Sequence, residues 1–178
     1  MDRHETRLAV PLQPTDHTQG ARDARVIVIE YGDFECPSCR EAAPVAKLML
    51  KRFHGRVLLA YRHFPVEEAH PHALLAAQAA ESAGAQGKFW EMHDLLFADQ
   101  AHLKRHALEE RAEKLELDMP HFRADLDDEV YLQRVREHQA SGSASGIRAT
   151  PCFFVNGVVC DVSFDVSNLL KEVAAKAG

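Results

Sequence analysis

The sequence predicts an α/β fold in which a βαβ unit is followed by an all-helical block and then a ββα unit that returns to the same sheet. Three observations carry this. A β-branched run at 25–31 (RVIVIEY) and a second apolar run at 56–63 (RVLLAYRH) flank one helix-length segment. Strand signals then stop between 66 and 146, where Ala, Leu, Glu, His and Arg recur at helical spacing. Two apolar runs return at 151–155 (PCFFV) and 158–162 (VVCDV), separated by Asn156-Gly157, the strongest short-range hairpin signal.

Each element has a local reason. Residues 1–24 are polar with Pro11 and Pro14, and read as an irregular arm with one short strand at 7–10. The run at 25–31 is a buried strand stopped by Gly32. Residues 36–54 read as a helix: Pro37 suits its first turn, and Ala42, Ala43, Val45, Ala46, Leu48, Met49 and Leu50 supply an apolar stripe. Pro44 inside it is expected to kink it. The strand at 56–63 is closed by Phe64-Pro65. Helices are expected at 72–83, 88–97, 107–116, 120–126 and 130–140, separated by Gly84, Gly87, Pro120 and the stretch 141–146. A helix at 166–175 ends the chain. The domain reading is an arm at 1–24, a core at 25–65 and 147–178, and a helical insertion at 66–146.

Composition narrows the function classes. The 178 residues carry 46% hydrophobic and 27% charged residues, an ordinary globular balance. The net charge of -6 opposes nucleic acid or an anionic membrane as the main partner, because both are bound through clustered Lys and Arg. The longest apolar runs fall far short of the roughly 20 residues of a membrane span. Residues 1–20 lack the continuous apolar core of about 7–15 residues found in export signals. With Met1 as the native start, the expected location is the cytoplasm; another start leaves a periplasmic one. A monomer is expected.

The chemistry points to Cys36-Pro37-Ser38-Cys39, lying between a strand and its helix. This context is that of a thioredoxin-like redox motif. Cys36 falls at the helix N-terminus, where free N–H groups and the helix dipole favour a thiolate. Cys39 is one turn further on, so its sulfur can reach back and resolve a mixed disulfide. Cys36 is expected to be the more exposed sulfur. A zinc site would need two further ligands, and the 11 His offer no second pair at suitable spacing.

At this point the chain resembles the DsbA-like branch of the thioredoxin superfamily. The matching stretches are VIVIEYGDFECPSC, RHFP, HPHALLAAQAAESAG, GKFWEMHDLLF and SGIRATPCFFVNG. The resemblance implies a thioredoxin-like fold with an inserted helical block, and disulfide exchange with thiol- or disulfide-bearing protein substrates. It implies a redox partner that recycles the pair and no cofactor or metal. It makes Thr150-Pro151 a cis peptide facing the motif, with the Thr150 backbone pairing an extended substrate. Pro37 and Ser38 would flank that substrate. Glu30, six residues before Cys36, matches the family's buried acid and would relay a proton to and from Cys39.

The motif departs from the family at its centre. Ser38 supplies no positive partner for the thiolate, and Asp33 and Glu35 place negative charge beside Cys36. These features predict a less stabilised thiolate and a weaker oxidant. Cys152 is expected to be a buried structural thiol. A two-residue turn sets Cys160 opposite Phe153, so no Cys152–Cys160 disulfide is expected. His63, His70, His72 and His93 are expected to line the helical block. Two other functions compete with protein disulfide exchange. One is a reductase of small thiols or peroxides on the same fold, marked by an enclosed pocket over Cys36. The other is a zinc- or peptide-binding module without redox activity.

Overall fold

A computed structural model describes residues 6–178. Among them, five strands form one sheet in the order β1-β3-β2-β4-β5. These are β1 His17–Gly20, β2 Val26–Gly32, β3 Val57–His63, β4 Cys152–Val155 and β5 Val158–Cys160. β2 and β3 pair in parallel, and the other pairs are antiparallel. Helix α1 (Pro37–Arg52) makes the crossover from β2 to β3. Helices α2 (Ala73–Ala85), α3 (Phe89–Ala98), α4 (Arg105–Lys114), α5 (Met119–Asp127) and α6 (Leu132–Ala144) separate β3 from β4, and α7 (Asn168–Ala177) follows β5.

The pleat of β2 sorts its side chains. Val26 and Val28 pack with Ala42, Ala46 and Met49 of α1 and with Leu169 and Val173 of α7. Ile29 and Tyr31 point to the opposite face, where Ala60, Phe154 and Ile147 join them. There the Tyr31 hydroxyl meets Ser141 Oγ of α6 at 2.8 Å. A third cluster joins the helical block to the motif: Phe34, Cys36, Cys39 and Tyr61 pack with Ala76, Met92, Leu96 and Phe122. Burying one such aromatic side chain contributes about 1.5–3 kcal/mol.

The strands and helices form where the apolar periodicity put them, with ends displaced by a few residues. The β4–β5 turn uses Asn156 at φ 49° and Gly157 at φ 79°. Two successive left-handed residues match the twist of the flanking strands. Phe153 pairs with Cys160, as the two-residue turn requires. Helix α1 runs continuously through Pro44.

Within the arm read at 1–24, the described residues 6–24 depart from an irregular course. His17–Gly20 forms an edge strand antiparallel to β3, with His17 opposite Tyr61. HTQG has no apolar alternation, so its strand character comes from its partner rather than from its own residues. The short strand expected at 7–10 is a single bridge from Arg7 to Val158. Residues of this segment also hold a buried ion pair: Arg62 bonds Asp16 at 2.8 and 3.0 Å and donates to the carbonyls of Val10 and Pro11.

Candidate active site

Cys36 is the N-cap of α1, with extended backbone (φ -77°, ψ 121°), and Pro37 opens the first turn. Proline costs nothing there, because that N–H would lack a helical partner anyway. The Cys36 thiol donates to the Thr150 carbonyl at 3.4 Å. Thr150-Pro151 is cis and directly precedes β4. The structure therefore brings together the two distant motifs, with Cys36 7% exposed and Cys39 fully buried. Pro37 and Ser38 are exposed beside them.

The two thiols are electrically unlike. Cys36 is pulled down to about 5, chiefly by a hydrogen bond from Cys39; burial opposes this, and bonds from the Thr150 side chain and from the N–H groups of Cys39 and Ser38 reinforce it. Cys39 is pushed well up by burial, by its bond to Cys36 and by the charge of Cys36. At neutral pH Cys36 is a thiolate and Cys39 a thiol.

This corrects the expectation that Ser38, Asp33 and Glu35 leave the Cys36 thiolate weakly stabilised. The Asp33 carboxylate accepts from the N–H groups of Glu35 and Val66, both at 2.8 Å, and pairs with His70 at 2.7 Å. Glu35 accepts from the His72 N–H at 2.7 Å and pairs with its ring at 2.9 Å. Both carboxylates thus point into the start of the helical block, and the N-terminus of α1 does for the thiolate what a cationic neighbour would.

Glu30 is 2% exposed and lies on the α1 face of β2. Burial raises its carboxyl to about 8, and its charge in turn helps to raise Cys39. Its Oε1 has no hydrogen-bond partner among the described residues.

Sequence reasoning missed Gln100. Its amide donates to the carbonyls of Phe34 and Cys36 at 2.9 and 2.7 Å, pinning the motif loop to the helical block. Nothing local marks a glutamine 64 positions away as a clamp.

The four cysteines are free, and Cys152 and Cys160 are both raised to about 11, chiefly by burial. The histidines are less idle than expected. His63 and His138 come together with Glu81, their ligand-type atoms within 4.8 Å of one another. Glu81 accepts from Arg134 at 2.9 Å and pairs with His17 and His63 at 2.9 and 2.8 Å. Arg134 already balances its charge, so the group works as a buried hydrogen-bond network tying β1, β3, α2 and α6.

Beside Cys36 runs an open groove of about 670 Å³, lined by Ser38, Glu41, Thr150, Pro151, Cys152 and Phe164 among others. Phe164 is 98% exposed.

A sequence model of the thioredoxin family matches residues 12–174. The chain is 43% identical over 169 residues, 94% of its length, to a protein of Salinispora arenicola named Na(+)/H(+) antiporter NhaA 1, of which the match covers 26%. The chain spans about a quarter of the length of the curated relatives it matches. Among solved structures, BdbD of Bacillus subtilis in its oxidised form superposes with a TM-score of 0.81, 24% identity and coverage of 91% and 92% of the two chains. The α-DsbA1 protein of Wolbachia pipientis gives 0.79 at 20% identity, with 96% and 94% covered. These similarities are of fold.

Proposed function

This chain belongs to the thioredoxin family, and on that premise we propose that it is a thiol–disulfide oxidoreductase exchanging disulfides with protein substrates through Cys36 and Cys39. The observation that carries the reading is the opposite displacement of the two thiols at the N-terminus of α1, Cys36 down to about 5 and Cys39 well up. An attacking sulfur must be ionised, and a resolving sulfur must wait as a thiol.

The reaction runs in two steps. The Cys36 thiolate attacks a substrate disulfide, forms a mixed disulfide and releases one substrate thiolate. Cys39 then loses its proton and attacks the Cys36 sulfur, closing the Cys36–Cys39 bond and releasing the second substrate thiolate. Glu30, buried on the α1 face of β2, takes the Cys39 proton in its ionised form, which burial makes the minority form at neutral pH. Run backwards, the same steps oxidise a substrate dithiol. Thr150, Pro151 and Ser38 line the groove that holds the substrate chain, and the exposed Pro37 adjoins Ser38. A second redox protein returns the pair to its starting state.

The open groove favours a polypeptide over a small thiol or peroxide, which would call for an enclosed pocket. Zinc is disfavoured because the one cluster of potential ligands among the described residues, His63, Glu81 and His138, includes neither motif cysteine. The antiporter names belong to proteins much longer than this chain. No helix among the described residues is long and apolar enough to cross a membrane.

The test is the equilibrium reduction potential of the Cys36–Cys39 pair against glutathione. A defined two-electron couple supports the proposal: near about -270 mV it acts as a reductant, near about -120 mV as an oxidant. If no bond forms between the two sulfurs at any poise, the proposal fails.

A further inference from the structure

Two polar atoms are buried beneath the dithiol without a hydrogen-bond partner among the described residues, Glu30 Oε1 and the Tyr61 hydroxyl. The sheet puts them side by side. Glu30 and Tyr61 are register partners in the parallel β2–β3 pair. Val26 and Val28 of β2, and Val57 and Leu59 of β3, pack with α1. Counting in steps of two, Glu30, Gly32 and Tyr61 all face the same side, toward α1. Tyr61 shares one buried cluster with Phe34, Cys36 and Cys39. A side-chain carbon on Gly32 would lie 2.5 Å from the Tyr61 oxygen, so the hydroxyl rests against the backbone two residues beyond Glu30.

A buried hydroxyl with no partner is unfavourable, and a buried carboxylate with none is more so. Two such groups, in register on one face, are both satisfied by a single water held between them. We propose that Tyr61 is a positioning residue for the resolving step, its hydroxyl bonding the Glu30 carboxylate through one internal water and steadying it as it takes the Cys39 proton. The inference rests on the exchange reaction proposed above. In the step it serves, the Cys39 proton passes to Glu30 and the Cys39 thiolate forms a bond to the Cys36 sulfur. The bond from Cys36 to the substrate sulfur breaks, and that sulfur leaves as a thiolate. The dithiol is oxidised and the substrate reduced.

The surroundings favour this role. The Tyr61 phenol is pushed well up by burial and by the charges of Cys39, Glu30, Asp33 and Cys36, so it stays protonated and donates. The other titratable groups facing it are His17 across from it on β1, His63 two residues on, and His93 of α3, whose ring meets the tyrosine ring edge-on at 5.0 Å. Burial lowers His93, which therefore stays neutral. A phenol donates a hydrogen bond without adding a charge beneath the thiolate.

The test uses Tyr61→Phe, which keeps the ring stacked on Phe34. The reduced protein is mixed with an aromatic disulfide that releases a coloured thiolate twice, once on Cys36 attack and again on resolution by Cys39. In Tyr61→Phe the first release keeps its rate. The second slows about threefold to tenfold at neutral pH, the net contribution of one ordinary hydrogen bond, and its pH midpoint moves up. In a Glu30→Gln background Tyr61→Phe adds no further slowing. An unchanged second release and pH profile, with only a change in melting temperature, would overturn the inference, as would equal slowing with and without Glu30. Absence of any first release from the parent protein refutes the exchange reaction itself, an outcome distinct from these.

Discussion

The Cys36 sulfur lies 3.4 Å from the carbonyl oxygen of Thr150, a residue 114 positions away. This contact joins the N-terminus of α1 to the start of β4. It follows from the antiparallel pairing of β2 with β4, in which Tyr31 stands opposite Cys152 and Glu30 opposite Phe153. The two residues before Cys152 therefore reach the loop after Gly32, where the motif begins. The thiolate, its resolving partner and the groove are set by one strand register.

The first prediction concerns the ionisation of Cys36. Its rate of alkylation by iodoacetamide should rise with pH through a midpoint near 5. Because the Cys39 thiol is the largest stabilising influence on that thiolate, Cys39→Ala should move the midpoint up by about one unit or more. Linkage gives the sign for stability. The folded value is depressed, so the stabilisation of the reduced protein is fully present above about 9 and is lost as pH falls toward about 5. Because Glu30 acts in the opposite sense over much of this window, the readout is the stability difference between the reduced parent and its Cys36→Ser variant, which should shrink toward acid.

Glu30 should behave in the opposite sense. Burial raises its folded carboxyl to about 8 from the ordinary 4.5. The folded state therefore binds a proton that the unfolded chain has already released, and its stability declines as pH rises between those two values. The limiting slope is roughly 1.4 kcal/mol per pH unit, and it flattens above the folded value. Measured on the oxidised protein, where Cys36 does not titrate, the decline should be present in the parent and absent in Glu30→Gln. A parent curve flat between pH 5 and 8 (a window set by these limits) would show that the carboxyl is not held protonated. In turnover with reduced protein, Glu30→Gln should slow the resolving step about a hundredfold, the lower end of general-base contributions.

The Arg62–Asp16 pair anchors the edge of the sheet. Both side chains are almost fully buried, at 1% and 2% exposure. Arg62→Met should cost about 3–5 kcal/mol in urea unfolding, because it strands the Asp16 carboxylate without its partner. The double variant Arg62→Met with Asp16→Leu should recover much of that loss, since no lone charge remains buried. Equal destabilisation of single and double variants would show that the guanidinium acts by bracing the carbonyls of Val10 and Pro11, not by pairing with Asp16.

Much of this molecule was readable along the chain. The period-two run VIVIEY, the helical stripe of α1 and the Asn156-Gly157 turn encode their own conformations, because each depends on neighbours a few residues away. The placement of Cys36 at a helix N-terminus follows from the same local logic, and so does its preference for the thiolate. What local pattern could not supply is everything that depends on a distant partner. β1 is a strand because β3 lies beside it. Asp33 and Glu35 spend their carboxylates on Val66, His70 and His72 instead of on the sulfur beside them. Gln100 holds the motif loop from the turn between α3 and α4, Glu81 gathers partners from three other elements, and Tyr61 stands beside Glu30 through register alone. Backbone propensity and side-chain spacing are properties of the chain, so sequence determined the elements and the dithiol chemistry. Hydrogen bonds and charges act through space and are strengthened by burial, so only the tertiary structure decided which groups tune those sulfurs.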